Sequence, residues 1–555
     1  MCHSFGIVTH NAVSGLPEPI DDAVNNSPLD CLRAWAIRKP DATAVARLDC
    51  KRSYSELLLG IQRAATWLHG QGVRQNHTVG TRFASHFDET LHQIELAYAI
   101  GWLGATLLPL YPGTAAEQVG PVLRRFCVDW LLASDELSTW PNHDTVPQPE
   151  NGMRLQTIRL STYAFFVQTG EPIHARILSA SGGIEPTGKA AGVPMCPQLP
   201  AQGFLYEFSS GTSGTPKVVL QSNANYLLTA KVSGRAQGWR SDDVYMGAMR
   251  WPHKLGLRAV FRAHCMGATL LDENFPLTRS RLGQLTVEAG LSSLTSTPVQ
   301  LRMLLASPPC AAPAPALRLL SNSGAALAAS EVGHIRTCIT PNFYAVYGGT
   351  ETGIVALLHP EDPPDAPMRV VPGVELVAVD PAGRALPTDQ AGRLRIRSAW
   401  LCEGYANNAL ASAASFQAGW FVSNDVGAVS GGRLHLGART DDMINFGGGK
   451  VDPLPIEEAL RQHPDVADAA VVAMADVWEG QLPVAFVVAR QGLNLDALRQ
   501  YVGNRIDIGQ LPEFFILAPS LPYNLDGKIK RDALRKVADQ LRSRVKMPSD
   551  RPVPP

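Results

Sequence analysis

A run of small hydroxyl residues and glycines follows a strand-like apolar segment at 204–208 and ends in proline and lysine. Glycines let backbone N–H groups approach a phosphate closely, hydroxyls add donors, and Lys217 adds positive charge. The run at 209–217 therefore predicts a phosphate-binding loop, although a plain flexible Ser/Gly loop has the same composition. It does not match the GxxxxGK loop followed by Ser or Thr, because Pro216 precedes Lys217 and Val218 follows it.

The run resembles the SGTTGxPK signature of the adenylate-forming superfamily, which includes acyl- and aryl-CoA ligases, peptide-synthetase adenylation domains and luciferases. Ser213 stands where the family has its second threonine. Further blocks follow in the family's order and spacing. They lie at 54–57, 323–326, 347–351, 392–405, 420–427, 439–445 and 521–531. The resemblance covers residues 29–541, although residues 137–200 match no block.

The resemblance implies roles for residues around ATP. Thr350 would contact the α-phosphate, and Glu351 would hold Mg²⁺, which prefers hard oxygen ligands shared with phosphates. Asp425 would accept hydrogen bonds from both ribose hydroxyls. Small residues at 323–326 would lie against adenine, although a tight turn needs small residues as well. The residues assigned to the nucleotide are Ser209, Ser210, Gly211, Thr212, Ser213, Gly214, Lys217, Ser323, Gly324, Ala325, Tyr347, Gly348, Asp425 and Arg439.

Lys528 lies in the block at 521–531, at the place of the family's catalytic lysine for adenylation. The resemblance implies that a substrate carboxylate attacks the α-phosphorus of ATP and that pyrophosphate leaves. Charge builds on the phosphate oxygens, so catalysis rests on positioning and electrostatic stabilisation. Lys528, Thr350 and Glu351 are the predicted catalytic residues.

A second half-reaction follows from the same resemblance. Asp441 would be the hinge about which a small domain rotates, so that a thiol of CoA or phosphopantetheine reaches the acyl group. The glycines after this hinge would line the thiol channel, because they allow a pantetheine arm to approach the backbone, although a flexible loop explains them too. These glycines are Gly447, Gly448 and Gly449.

The acid site is predicted between the phosphate loop and the block at 347–351. The residues assigned to it are Trp251, His253, Gly256 and Gly349. No acidic residue stands near His253, which argues against an α-amino acid, because its ammonium group would be buried without a partner. Core packing of Trp251 and a satisfied buried histidine remain alternatives. A basic face at helical spacing is expected to be solvated or to receive a carrier protein or the phosphate of CoA. It comprises Arg250, Lys254, Arg258 and Arg262.

Helical spacing alternates with short apolar strands along most of the chain, which predicts an α/β fold with largely parallel sheets. The large N-terminal domain is expected at 1–438, with an α/β part at 28–369 and a β-rich part at 370–438. A smaller, mobile α+β domain would follow the hinge at 439–546, and a disordered tail at 547–555. Residues 137–203 read as a loop-rich surface excursion with one strand-like run at 163–167.

Length, charge balance and cysteine spacing indicate a protein of several domains and argue against a general nucleic-acid-binding protein. The 555 residues exceed one ordinary core, so two or more domains are expected. Lys and Arg number 49 against 50 Asp and Glu, a balance that argues against general nucleic-acid binding. The nine cysteines are dispersed without a CxxC pair, which predicts buried thiols in a reducing compartment. The apolar stretch at 96–110 is too short to cross a membrane, so a cytoplasmic protein is predicted.

Three functions remain open from the sequence. The chain would join a small carboxylic acid, acyl or aryl, to CoA, or it would load the acid onto a carrier protein. The third is a catalytically inactive adenylate-binding scaffold. The joint presence of the expected catalytic and binding residues argues against the scaffold. These residues are Lys217, Glu351, Asp425, Asp441 and Lys528. The identity of the acid and the oligomeric state are not predicted.

Overall fold

The structure is a computed structural model. It describes residues 26–47, 50–83, 90–111, 114, 116–134, 156–159, 202–209, 217–247, 253–273, 277–308, 317–446, 449–476, 480–490, 492–506, 510–524 and 528–542. The strand-like run at 163–167 and the tail at 547–555 lie outside these residues.

The helices of the described residues are numbered in chain order. They are α1 (Pro28–Arg38), α2 (Tyr54–Gln71), α3 (Thr90–Trp102), α4 (Ala116–Arg125), α5 (Asn223–Ala236), α6 (Lys254–Met266), α7 (Arg279–Glu288), α8 (Pro298–Ala306), α9 (Ala329–Cys338), α10 (Ala409–Ser415), α11 (Pro453–Arg461), α12 (Leu495–Gly503) and α13 (Arg531–Arg542). None of these helices combines the length and the apolar character that crossing a bilayer requires.

The strands are numbered in the same way. They are β1 (Thr43–Ala46), β2 (Lys51–Ser53), β3 (Thr78–Arg82), β4 (Thr106–Pro109), β5 (Trp130–Ala133), β6 (Gln156–Arg159), β7 (Gly203–Phe208), β8 (Val218–Ser222), β9 (Val244–Met246), β10 (Thr269–Leu271), β11 (Ser293–Ser296), β12 (Leu319–Asn322), β13 (Phe343–Gly349), β14 (Gly353–Leu358), β15 (Met368–Val370), β16 (Glu375–Val379), β17 (Gly392–Arg397), β18 (Phe416–Gln417), β19 (Trp420–Ser430), β20 (Arg433–Arg439), β21 (Ile444–Phe446), β22 (Gly449–Val451), β23 (Val466–Asp476), β24 (Gly480–Ala489) and β25 (Phe514–Leu517).

Helix α2 illustrates how the sequence sets an element. The Ser53 side chain accepts from the Glu56 N–H, and the Glu56 carboxylate accepts from the Ser53 N–H, which forms a capping box. Leu57 and Ile61 recur at helical spacing and are buried. The helix ends at Gly72, whose φ of 108° is left-handed.

One large sheet runs through both parts of the N-terminal domain. Strands β1, β10, β9, β11, β12 and β13 pair in parallel. From β13 onward the order β14–β15–β20–β19–β17–β16 is antiparallel. The β-rich strands therefore continue the parallel sheet, because the tight turn between β13 and β14 reverses the chain direction.

A second sheet has the order β6–β5–β3–β4–β7–β8. All its neighbours pair in parallel except β7 and β8, which form an antiparallel hairpin. Helices α2 and α3 lie over an extensive core that includes Ile61, Tyr98 and Phe261. Both sheets thus agree with the expected α/β class.

The smaller C-terminal domain has its own sheet, in the order β22–β21–β24–β23 with β25 paired to β24. Its two faces are covered separately. Helices α11 and α12 bury Ile456 and Leu498 on one face, and α13 buries Leu534 and Ala538 on the other. This arrangement matches the expected small α+β domain.

The cysteines differ from the expectation in part. Those among the described residues carry free thiols, and some are exposed rather than buried. The buried ones are Cys31, Cys265 and Cys402, and the exposed ones are Cys50, Cys127 and Cys338. Dispersed spacing excludes a disulfide framework but does not determine the burial of each thiol.

Candidate active site

The run at 209–217, which the sequence predicts to bind phosphate, connects β7 to β8. The Ser209 N–H donates to the Lys217 carbonyl at 2.8 Å, which closes the base of the loop. Antiparallel pairing continues from Phe208 opposite Val218. The remaining loop residues, 210–216, lie outside the described residues, so their predicted contacts with phosphate stay predictions.

The block at 347–351 forms the end of β13 and the turn into β14. A Cβ atom on Gly348 would lie 2.1 Å from the Gly353 carbonyl oxygen, so only glycine allows this close approach. The Gly349 N–H donates to the Thr352 hydroxyl at 3.0 Å. Thr350 is buried, and its carbonyl accepts from the Gln221 side-chain amide at 3.1 Å. Strand β8 and this turn are therefore tied together.

Tyr405 joins the two segments through its side chain. Its hydroxyl donates to Glu351 Oε1 at 3.0 Å, and the Lys217 ammonium lies 4.7 Å from the centre of its ring. Burial, and then the Glu351 carboxylate, raise the pKa of Tyr405 far above its usual value, so the hydroxyl stays a donor. We name these three residues the Tyr405 cluster. The block at 392–405 contains this tyrosine, but the sequence assigned it no role.

A second group comprises Tyr347, Asp425 and Arg439, and we name it the ribose cluster after the role predicted for Asp425. The Tyr347 hydroxyl donates to Asp425 Oδ2 at 2.8 Å, and Arg439 Nη1 lies 3.4 Å from Asp425 Oδ1. The Ser423 hydroxyl also donates to Asp425 Oδ2, at 2.7 Å. Burial, and then Asp425, raise the pKa of Tyr347 well above its usual value. Three residues predicted separately for the nucleotide are thus in contact.

The predicted hinge residue adjoins this cluster. Asp441 Oδ2 accepts from the Asn424 side-chain amide at 3.0 Å and lies 3.5 Å from Arg439 Nη2. The Asp441 carbonyl accepts from Arg535 Nη2 of α13 at 2.8 Å. The hinge block is therefore in contact with both the ribose cluster and the small domain.

The segment predicted to lie against adenine is a turn after β12. The Asn322 side chain fixes it, because its amide donates to the Ala325 carbonyl at 2.8 Å while its oxygen accepts from the Val346 N–H at 3.0 Å. Gly324 has a φ of 103°, which favours glycine. The Ser323 N–H donates to the Ser296 carbonyl. The turn is consequently held beside β13 through Val346, the residue before Tyr347.

The expectation that the basic face is solvated is wrong for Arg258 and Arg262, the two of its residues whose side chains the structure describes. Arg258 forms a two-pronged ion pair with the buried Glu207, with Nε–Oε1 at 2.8 Å and Nη2–Oε2 at 2.6 Å. Burial alone would lower the pKa of Arg258, but Glu207 outweighs it and raises the pKa. Arg262 lies over the Trp239 ring. Helical spacing in the sequence could not reveal that a buried carboxylate on β7 faces this helix.

Aromatic rings gather where β4, β7 and α6 meet. His253 is buried and caps α6 by accepting from the Leu255 N–H at 3.2 Å. Its ring stacks on Tyr111 with centroids 5.4 Å apart, and Tyr111 lies 6.2 Å from Phe208. Gly256 lies on α6. Trp251 lies outside the described residues, so its place in the acid site stays a prediction.

Lys528 lies in a loop of the small domain. Its N–H donates to the Asn524 side chain at 2.9 Å, and its carbonyl accepts from the Asn524 N–H at 2.8 Å. Tyr523 of the same loop accepts from Arg302 Nη1 of α8 at 3.2 Å, which joins the loop to the large domain. The catalytic role of Lys528 stays a prediction. Of the channel glycines, Gly449 begins β22, and 447–448 lie outside the described residues.

The donor set suits a magnesium ion. Glu351 supplies a hard carboxylate at the end of β13, and the hydrogen bond from Tyr405 holds one of its oxygens. Within the described ranges no cluster of three or more His, Cys, Asp or Glu side chains is present. One carboxylate fits Mg²⁺, because this ion keeps several waters and takes further ligands from substrate phosphates.

The chain is similar to known proteins over most of its length. The family model of AMP-binding enzymes matches residues 32–406, and that of the AMP-binding enzyme C-terminal domain matches residues 455–528. A 4-chlorobenzoate–CoA ligase of Arthrobacter sp is 27% identical over 528 residues, which are 91% of this chain and 94% of that protein. A salicyl-AMP ligase/salicyl-S-ArCP synthetase of Mycobacterium tuberculosis is 25% identical over 525 residues, 91% of this chain and 89% of that protein.

The fold is also that of a solved structure. O-succinylbenzoate coenzyme A synthetase from Bacillus subtilis, in complex with ATP and magnesium ion, superposes with a TM-score of 0.75 at 21% sequence identity. The match covers 91% of this chain and 98% of that one. At this identity the likeness establishes the fold.

Proposed function

Because this chain belongs to the AMP-binding enzyme family, we propose that it is an ATP-dependent ligase that joins an aromatic carboxylic acid to the thiol of CoA. A carboxylate oxygen of the acid attacks the α-phosphorus of ATP, and the bond from this phosphorus to the β-bridging oxygen breaks. Pyrophosphate leaves and an acyl-AMP forms. The thiolate then attacks the acyl carbon, and AMP leaves with the electron pair of the broken bond.

The contact of Lys217 and Glu351 with one tyrosine carries the proposal. A lysine at the base of a glycine-hydroxyl loop and a carboxylate beside Thr350 are brought within reach of one small volume. In that volume, Lys217 would attract the phosphate oxygens, and Glu351 would hold Mg²⁺, which would neutralise charge on the triphosphate. Lys528 is proposed to add positive charge at the α-phosphate during adenylation.

The ribose cluster supports the same function. Asp425 has both carboxylate oxygens directed by neighbours, since Tyr347 and Ser423 donate to Oδ2 and Arg439 lies beside Oδ1. A carboxylate held in this way is suited to accept hydrogen bonds from two ribose hydroxyls. The domain division belongs to the same proposal: 439–546 would rotate against 1–438 about Asp441, whose carboxylate lies 3.5 Å from Arg439 of this cluster.

The aromatic rings favour an aromatic acid. His253, Tyr111 and Phe208 lie around the carboxyl ends of β4 and β7, and ligands of α/β proteins bind at that edge of a parallel sheet. Such rings offer stacking partners to a flat substrate. The two relatives described above are named for 4-chlorobenzoate and salicylate, both aromatic acids.

The test supplies the protein with ATP, Mg²⁺ and a panel of aromatic, aliphatic and amino acids. Pyrophosphate exchange reports adenylation of each acid. Addition of CoA, followed by mass measurement of the thioester, reports the acceptor. We expect exchange with aromatic acids and a CoA thioester. If the protein exchanges pyrophosphate but forms a thioester only on a carrier protein, the acceptor is a carrier protein and not CoA. Absence of exchange with every acid would exclude the function.

A further inference from the structure

The backbone around Tyr405 bridges the two segments whose side chains it contacts. The Cys402 N–H donates to the Glu351 carbonyl at 3.1 Å, and the Ala406 N–H donates to the Val218 carbonyl at 2.7 Å. Val218 directly follows Lys217. Residues 402–406 therefore connect the turn that carries Glu351 to the base of the phosphate loop, with Tyr405 between the two attachment points.

The Tyr405 side chain has little freedom. It is 7% exposed, and its ring meets Phe416 edge to face with centroids 5.4 Å apart. The Tyr405 N–H donates to the Ser412 hydroxyl at 2.9 Å. A ring fixed in this way presents its face to the Lys217 ammonium and its hydroxyl to Glu351 Oε1.

We propose that Tyr405 is a positioning residue of the adenylation site, which holds the Glu351 carboxylate for the metal and the Lys217 ammonium for the phosphates of one nucleotide. The inference rests on the proposed function. The hydroxyl occupies one carboxylate oxygen and leaves the other to a metal ion. The ring face attracts the ammonium through the negative potential of its π-system without neutralising its charge, so the charge stays available to phosphate.

The two halves of this role can be separated by substitution. Tyr405→Phe keeps the ring beneath Lys217 and removes the hydrogen bond to Glu351. Loss of an outer partner of a metal-ligating carboxylate typically costs about 10–100-fold in metal affinity. Tyr405→Leu removes the ring as well, and a ring contact to a cation that is only half-buried, as Lys217 is, contributes about two- to fivefold in affinity.

The experiment measures equilibrium binding of the non-hydrolysable α,β-methylene analogue of ATP by titration calorimetry, with excess Mg²⁺ and with EDTA. We expect Tyr405→Phe to weaken binding about tenfold with Mg²⁺ and to raise the Mg²⁺ concentration for half-saturation, while binding in EDTA equals that of the wild type. Tyr405→Leu should lose a further two- to fivefold, and this second loss should persist in EDTA.

Tyr54→Phe is the matched control. The Tyr54 hydroxyl donates to the Ala268 carbonyl at 2.8 Å and is buried outside the site, so its loss should leave both measurements unchanged. A purely structural role of Tyr405 predicts equal weakening with Mg²⁺ and with EDTA. That outcome, or a Tyr405→Phe protein that binds like the wild type, would overturn the inference.

The binding assay needs no acid and no turnover, so it separates this inference from the proposed function. If the wild type binds the Mg²⁺–analogue complex but exchanges pyrophosphate with no acid, the proposed ligase function is wrong. The binding of the Tyr405 variants then still tests the positioning role. Normal exchange combined with an unchanged Tyr405→Phe protein would keep the ligase and overturn the positioning role. A wild type without nucleotide binding would overturn both.

Discussion

The Tyr405 cluster and the loop that carries Lys528 are held in different ways. Two backbone hydrogen bonds and two side-chain contacts fix Tyr405 between Lys217 and Glu351, all within the large domain. Lys528 lies in a loop organised by its own Asn524, and the Tyr523 hydroxyl joins that loop to Arg302 across the domain boundary.

The two kinds of attachment suit different ways of delivering positive charge to a phosphate. Groups that bind the nucleotide throughout the reaction gain from being held before the substrate arrives, because no reorganisation is then needed. A group needed in one half-reaction gains from an attachment that can be broken, since a hydrogen bond contributes only about 0.5–1.5 kcal/mol. We call the large domain, which holds the Tyr405 cluster, the rigid side and the small-domain loop at 521–531 the exchangeable side. Two predictions test each side.

The rigid side should fail most strongly at Arg258. Arg258→Met leaves the buried Glu207 carboxylate without its charged partner, with the hydrogen bond from the Gln221 side-chain amide left in place, and such a loss typically costs about 3–5 kcal/mol. We expect urea unfolding of the large domain to show this decrease in the free energy of unfolding. The double variant Glu207→Gln/Arg258→Met is the control and should recover most of the loss. A single variant as stable as the double variant would contradict the role of the ion pair.

The exchangeable side should show its largest effect at Lys528. Lys528→Ala removes a charge aimed at the transition state, and losses of this kind cost about 2.7–4 kcal/mol. Pyrophosphate exchange should slow by about a hundredfold or more, while nucleotide binding and unfolding stay near wild type. Lys530→Ala, an exposed lysine two residues away, serves as the control. Unchanged exchange in the Lys528 variant would show that the lysine was misassigned.

The rigid side should also depend on pH through His264. Burial lowers the pKa of His264 to about 4, and its ring contacts the Tyr98 hydroxyl and the Ala44 carbonyl. The unfolded chain binds a proton below about pH 6.5 and the folded chain does not, so stability is full above that pH. It should fall by roughly 3 kcal/mol as the pH drops toward 4.

The measurement is urea unfolding between pH 7 and pH 4.5 for the wild type and His264→Gln. The variant should be less stable at pH 7 and should show a flatter slope with pH. Exposed His334, changed to Gln in the same way, should keep the wild-type slope. Parallel slopes for the wild type and the His264 variant would assign the acid sensitivity to other groups.

The smallest effect is expected at the domain boundary. Tyr523→Phe removes the hydroxyl that accepts from Arg302 and donates to Asp468. Loss of about 0.5–1.5 kcal/mol should shift the rates of adenylation and thioester formation in opposite directions by about two- to tenfold. Tyr501→Phe, which removes a small-domain hydroxyl bonded to the Gln462 carbonyl, is the control. Equal changes in the rates of adenylation and thioester formation would argue that the Tyr523–Arg302 hydrogen bond is not specific to one domain arrangement.

Much of the architecture could be predicted because periodic burial is a local signal. The spacing of apolar residues in 55–69 predicts a helix that the structure extends to Tyr54–Gln71. The sequence at 392–397 likewise predicts a short strand, and β17 spans these residues. The continuity of the β-rich strands with the parallel sheet was not predictable, because pairing between β13 and β14 depends on partners far along the chain.

The order of the short motifs was enough to predict the family, and residues 32–406 match the AMP-binding enzyme model as expected. It also singled out Lys217, Glu351 and Asp425 as residues to examine. The folded chain was needed to show that Tyr405 joins Lys217 to Glu351 and that Arg258 pairs with Glu207 instead of facing solvent. A residue type states what a side chain can donate or accept, whereas its partner is set by long-range packing.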